Sequence, residues 1–260
     1  MVNHPGKIAL LFLALGCILY FGFEIVSNDI KTKSSPISNK NKETTEIEFS
    51  DLKAENELEA NQKAELEQYK LELKNSTEES KKIEILKKLS GFWYQRNNAM
   101  LSGNYAVKVA SLENTAESWG IAGTTYLSGI DASTEVKIKQ DFKDKAIAAL
   151  DKAIALNPNE PQHKMNKALC SIKLPDENPM EGILQLLQLD KEVPEFLPVQ
   201  ILLSQLAMKT GQWDKAYTRL QRVIKLNPKN KESNCLMIDL IQQSGKKENT
   251  TEFEKICNQK

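Results

Sequence analysis

Three dipeptides ending in proline, Asn157-Pro158, Val193-Pro194 and Asn227-Pro228, recur 36 and 34 residues apart and constrain the chain more than any other feature. Proline does not continue a helix, so each dipeptide closes a helical segment. A recurrence at this period means stacked copies of one small unit instead of a single globular core. The clearest unit covers residues 197–230. Leu203, Ser204, Gly211 and Ala216 stand in its first half and at its middle. Trp213, Leu220, Val223 and Leu226 carry the second helix to Pro228.

The same landmarks return upstream. Trp119-Gly120-Ile121-Ala122-Gly123-Thr124-Thr125-Tyr126 opens a unit that Ala146, Leu150, Ala153 and Pro158 complete. The interval from Tyr126 to Ala146 is 11 residues longer than such a unit allows, which is about three helical turns. Either a longer hairpin that keeps both faces in phase or a loop around Gly129 to Ser133 accommodates it. A further unit, residues 161–194, carries Ala168 in its first helix and Gly182, Leu186 and Leu189 in its second. There Asn178-Pro179-Met180-Glu181 reads as N-cap, N1 proline and N3 glutamate. Ser76-Thr77-Glu78-Glu79 reads as a capping box opening a helix to about Arg96, and Gly91, Tyr94, Gly103 and Ala110 give a degenerate copy. Residues 231–260 offer a last hairpin around Gly245, with Phe253 and Ile256 as apolar contacts.

These residues resemble the tetratricopeptide repeat (TPR), whose first helix opens W-x-x-L-G-x-x-Y, with Ala122 here in place of the leucine. The resemblance covers residues 77–260 and implies an all-α solenoid of helical hairpins. Its clear units are 116–159, 160–196 and 197–230, with degenerate units at 77–115 and 231–260 serving as caps. It also implies a groove, lined by the first helices, that takes a segment of a protein partner. On that reading the chain is a non-catalytic scaffold or adaptor. The alternatives are an assembly chaperone holding unfolded exported proteins such as apocytochromes, and an accessory subunit of a cell-envelope enzyme.

Chemistry has little to work with. Lys plus Arg and Asp plus Glu are both 35, so no global field favours nucleic acid. Arg96, Arg219 and Arg222 are the only arginines, which removes most bidentate phosphate and base donors; no nucleic-acid partner is expected. His163 is the only histidine beyond the N-terminal tail, so no catalytic triad or H-E-x-x-H set can be assembled, and it reads as a surface residue opening a helix. The four cysteines include no C-x-x-C pair and give no zinc set. Gly120 to Thr125 lacks the lysine of a phosphate loop. No catalytic, cofactor or metal residue is therefore expected. Cys170 and Cys235 read first as small buried hydrophobes, although Cys235 and Cys257 stand at opposite ends of the last hairpin, where their thiols could meet.

Residues 8–23 are an unbroken run of apolar and small residues; extended to Val26 they make 19 residues, or roughly 28 Å of helix. A bilayer core is about 30 Å thick. Residues 1–28 are expected to be a single transmembrane anchor, in preference to a cleaved signal or a lipoprotein signal ending at Cys17. Residues 29–50 read as a disordered linker and residues 51–76 as a polar, solvated helical spacer whose broken seam is Leu52, Leu66, Tyr69 and Leu73. Charge counting (Lys7 before the run; Lys31, Lys33, Lys40 and Lys42 after it) keeps the C-terminal part inside. The short tail and long apolar region resemble a signal-anchor, which sends it across. The expectation is an inner-membrane protein with its repeats in the periplasm. The whole arrangement looks like exported, N-terminally anchored TPR proteins of Bacteroidetes-type bacteria.

Helical phase places Met165, Asn166 and Leu169 of one unit, Ile201, Leu202 and Gln205 of the next, and Asp239 of the last on the expected partner-binding row. The competing reading has some of these side chains filling contacts between neighbouring repeats.

Overall fold

The computed structural model describes residues 54–259. The chain divides into two units, Met1–Glu59 and Ala60–Lys260; of the first, only a single helical turn at 54–56 and the residues up to Glu59 are described. The apolar run, the linker and the membrane anchor expected from them lie outside the described residues. No helix among the described residues is long and apolar enough to cross a membrane.

The second unit is a succession of antiparallel helices with no strand among the described residues. They are α1 Ala60–Asn75, α2 Glu79–Tyr94, α3 Ala99–Glu113, α4 Ala116–Ala132, α5 Val136–Leu156, α6 Pro161–Lys173, α7 Glu181–Glu192, α8 Leu197–Lys209, α9 Trp213–Leu226, α10 Lys231–Ser244 and α11 Thr251–Cys257. The three proline dipeptides stand immediately after α5, α7 and α9. In each, the residue before proline donates its amide to the carbonyl four residues back: Asn157 to Ala153 at 2.9 Å, Val193 to Leu189 at 2.9 Å and Asn227 to Val223 at 2.8 Å. That shared ending makes the period visible in the sequence.

Starts are less uniform. Asn98 and Asn230 cap α3 and α10 by accepting from the amides of Leu101 (3.0 Å) and Ser233 (2.8 Å). Thr115 and Ser118 form a reciprocal capping box at α4, which the sequence reading overlooked because serine replaces the usual glutamate or glutamine. The box expected at Ser76 does not form; Glu78 occupies the N-cap without a side-chain bond, and the Ser76 hydroxyl donates to the Glu78 carbonyl instead. At α7, Asn178 Oδ1 does accept from the Met180 amide at 3.1 Å, but Pro179 and Met180 form a turn and the helix begins at Glu181.

The 11-residue excess resolves as a longer hairpin. α4 and α5 have 17 and 21 residues against 13 and 14 in α8 and α9. Gly129 lies inside α4, where its missing Cβ admits the Phe142 ring. The segment expected as a solvated spacer is also more involved: α1 packs on α2 through buried Leu66 and an edge-to-face contact of Tyr69 with Phe92 at 6.5 Å. Arg96 lies over Phe92 at 3.4 Å and pairs with Glu65 at 3.6 Å. Tyr94, read as part of the repeat, is exposed.

Successive buried clusters run along the stack, as expected where each hairpin buries its remaining apolar face on the next. Tyr126, Ile130, Phe142, Leu150 and Cys170 join α4, α5 and α6; Met165, Ala168, Leu186, Leu189, Val199 and Leu203 join α6, α7 and α8. Cys235 and Cys257 are joined in a disulfide, Cα to Cα 5.0 Å, that ties α11 to α10. This link carries weight because α11 is seven residues long with no buried side chain.

Two glycines of the stack respond oppositely to substitution. A Cβ on Gly182 would lie 2.6 Å from the Ala168 carbonyl oxygen, which cannot swing aside, whereas a Cβ on Gly91 meets nothing within 4 Å. Gly182→Ala is expected to cost about 1–3 kcal/mol and Gly91→Ala to gain about 0.5–1 kcal/mol, both read by urea denaturation. Cys235→Ala, by opening a 22-residue loop, should cost about 3 kcal/mol and speed hydrogen exchange in α11 before any other helix.

Candidate partner-binding face

First helices touch across hairpins as well as within their own, α4 against α6 and α8 against α10. Gly120 of α4 makes room for the imidazole of His163 on α6, which comes within 2.3 Å of where a Cβ would stand. His163 is thus buried, not a surface residue as its helix-opening position suggests, and its Nδ1 has no hydrogen-bond partner among the described residues. Between α8 and α10, Gln205 donates to Glu232 at 3.1 Å. These contacts align the first helices side by side into one face.

The seven row residues differ in depth. Met165, Asn166 and Ile201 are buried, Leu169, Leu202 and Gln205 are half-buried, and Asp239 is exposed. Met165 belongs to the cluster that joins α6, α7 and α8, and Leu202 packs against it. Asn166 Oδ1 accepts from Gln162 at 3.0 Å, and its carbonyl receives the Cys170 thiol at 3.4 Å. The surface left to a ligand on this row is therefore chiefly that of Leu169, Leu202, Gln205 and Asp239.

A feature the sequence reading did not single out lies at the N-terminal end of the face. Helices α2, α3 and α4 enclose a cavity of about 620 Å³ lined by Lys87, Ser90, Val109, Glu113, Ser118 and Ile121. Lys87 pairs with Glu113 at 2.6 Å, and Ile121 is 54% exposed, whereas the other large apolar side chains of its helix, Trp119, Tyr126, Leu127 and Ile130, are buried. The signal was available. Ile121 precedes Asn166 by 45 residues, the repeat period plus the 11-residue extension, and so shares its phase.

Reactive groups elsewhere serve packing. Trp119 is buried beneath Lys152, whose ammonium lies 3.9 Å from the ring centroid. Cys170 is buried, and burial pushes its thiol up to about 11, partly offset by the nearby Lys143 charge. Among the described residues no group of three His, Cys, Asp or Glu side chains could hold a metal ion.

No protein-family model matches the chain, and no curated protein matches it. Solved structures do. The chain is similar to TTC0263, a thermophilic TPR protein of Thermus thermophilus, at 13% identity and a TM-score of 0.53, covering 79% of this chain and 100% of that one. Two MamA structures also align, one at 14% identity and a TM-score of 0.43 over 67% and 88% of the two chains, the other, from Desulfovibrio magneticus, at 16% and 0.44 over 67% and 93%. The likeness to TTC0263 shows a TPR-like fold.

The thiol of Cys170 provides a pH-dependent readout. Because its proton is held to about 11 in the folded chain and released near 8.5 in an unfolded one, the stability it contributes is fully present below about 8.5 and declines as pH rises toward 11. Iodoacetamide at pH 8, followed by peptide mapping, should leave Cys170 unmodified in the native protein and modify it in urea.

Proposed function

We propose that this protein is a non-catalytic scaffold that takes a segment of another protein along its first-helix face and is held at a membrane by its N-terminal apolar run. The observation that carries the reading is the exposed Ile121 beside the cavity of about 620 Å³ between α2 and α4. An apolar contact with a charged pair and the hydroxyls of Ser90, Thr115 and Ser118 at its margin suits the side chain and backbone of a defined segment. A chaperone for unfolded chains would be better served by a wholly apolar groove. The row continues through Leu169, Leu202, Gln205 and Asp239.

An envelope location draws support from two features: the 19 residues ending at Val26, enough to cross a bilayer, and the Cys235–Cys257 disulfide, which persists in oxidising compartments. In this reading the repeats lie in the periplasm. A fold built from TPR-like hairpins serves in general to present a surface to other proteins, and the absence of assembled catalytic groups in the sequence agrees with positioning instead of turnover.

A photo-reactive amino acid placed at Ile121 or Asp239 in the native cell should crosslink to one protein, and the same amino acid at Leu226, an exposed residue of α9, should not. Gln205→Ala with Asp239→Ala should weaken that crosslink while leaving stability within about 0.5 kcal/mol. Asn166→Ala is unsuitable as a binding test, since it removes a buried acceptor. Equal crosslinking from all three positions would refute the assignment of the face. Protease added after outer-membrane permeabilisation should digest the repeats; protection would place them in the cytoplasm.

A further inference from the structure

Cavities also open among the second helices of the hairpins, and they differ in how their cations are answered. The one bounded by α5, α6 and α7, about 500 Å³, contains Lys164 and Lys167, which pair with Glu192 at 3.3 Å and Asp151 at 2.6 Å. The one bounded by α7, α8 and α9, about 470 Å³, is floored by Ile183, Leu187, Leu203 and Leu206 and edged by Lys215 and Arg219, with no acidic residue in its lining. Lys215 donates to Gln212 at 2.7 Å. Arg219 makes no hydrogen bond or ion pair among the described residues, and its Nε is buried without a partner. Leaving such a donor unsatisfied is costly, and elsewhere in the stack cavity cations are paired.

We infer that the groove between α7 and α9 docks an amphipathic helix of another protein, one with acidic residues flanking its apolar face. Met180, in the turn ahead of α7, and Ile183 and Leu187 on the helix follow at steps of three and four residues, a strip of about two helical turns in all. Met180 is half exposed. Two turns of an incoming helix match this strip, with leucine-type side chains entering over Ile183 and Leu187. Lys215 and Arg219 stand one turn apart on α9, so carboxylates one turn apart on the ligand meet both, the guanidinium in a charge-assisted bond. The site is separate from the first-helix face and does not depend on it.

Fluorescence anisotropy of the full-length chain tests this with a labelled peptide of about sixteen residues, leucines on one helical face and glutamates beside them, and with its glutamine counterpart. The glutamate peptide should bind at least about tenfold tighter than the glutamine one. Arg219→Glu and, separately, the surface change Lys215→Glu should each weaken it by about tenfold, while Asp239→Ala changes nothing. Equal binding of the two peptides, no binding of either, or binding indifferent to both charge reversals would overturn the inference. So would capture of phosphatidylglycerol vesicles through Arg219 without binding of the peptide, since the groove would then serve a lipid surface.

Discussion

The close approach of helices at α4 is the constraint on which the N-terminal half of the stack depends. Gly123 brings the backbone of α4 against Leu150 and the Ala146 carbonyl of α5, and Gly129 does the same against Phe142. On its other flanks Gly120 receives His163 from α6, while Gly103 of α3 receives Tyr126 from α4. A side chain at any of these positions would stand 2.2 to 2.6 Å from its neighbour's heavy atoms, far inside contact distance. The glycines weaken α4 as an isolated helix; the packing they permit outweighs that loss. The small-on-small cluster of Ala106, Ala110, Ala122, Ala149 and Ala153 extends the same tight spacing under Trp119.

Charge adds register more than stability. Lys164–Glu192 and Lys167–Asp151 link neighbouring helices through partly exposed groups, and such pairs are worth at most about 1 kcal/mol each. Tyr69 and Tyr217 hold their protons above the ordinary tyrosine range, chiefly because each donates to a carboxylate, Glu65 and Glu248. These are exposed links at the two ends of the stack, where packing alone is thinnest. Against that background a guanidinium without a partner, as at Arg219, stands out as the exception among the cavity cations.

What the sequence made legible follows from what it encodes locally. Helix ends before proline, glycines at crossings and the 34-residue period are properties of short segments, so the hairpins from α4 to α9 could be read with their order and type. Depth is not local. Helical phase puts Asn166, Gln205 and Asp239 on one row, yet Asn166 is buried while Asp239 is exposed, because burial depends on the neighbouring helix, as where Gly120 of α4 admits His163 of α6. The same coupling hid His163 itself. Helix starts are legible only where residue type and geometry coincide: Ser76 has the residue for a cap but uses its hydroxyl as a donor.

The extension of α4 and α5 explains a second irregularity further along the chain. Its tip is not left projecting: Asp131 at the end of α4 pairs with Lys173 at the end of α6, and Phe142 shares a core cluster with Cys170. Lys143, 2% exposed, reaches Asp176 at 2.6 Å, a close charge pair whose geometry does not complete a hydrogen bond. A buried ammonium is tolerated only where an opposite charge compensates it, so the chain after α6 must bring Asp176 to this point before it can turn back. Asp176 lies within the seven residues between Lys173 and Glu181, against three between Lys209 and Trp213 in the next hairpin. Met180 sits in the turn ahead of the helix at the mouth of the groove with α9, half exposed and uncovered by the preceding hairpin. The extended hairpin thus meets the next one through a single buried lysine, whose carboxylate partner lies in the same loop as Met180.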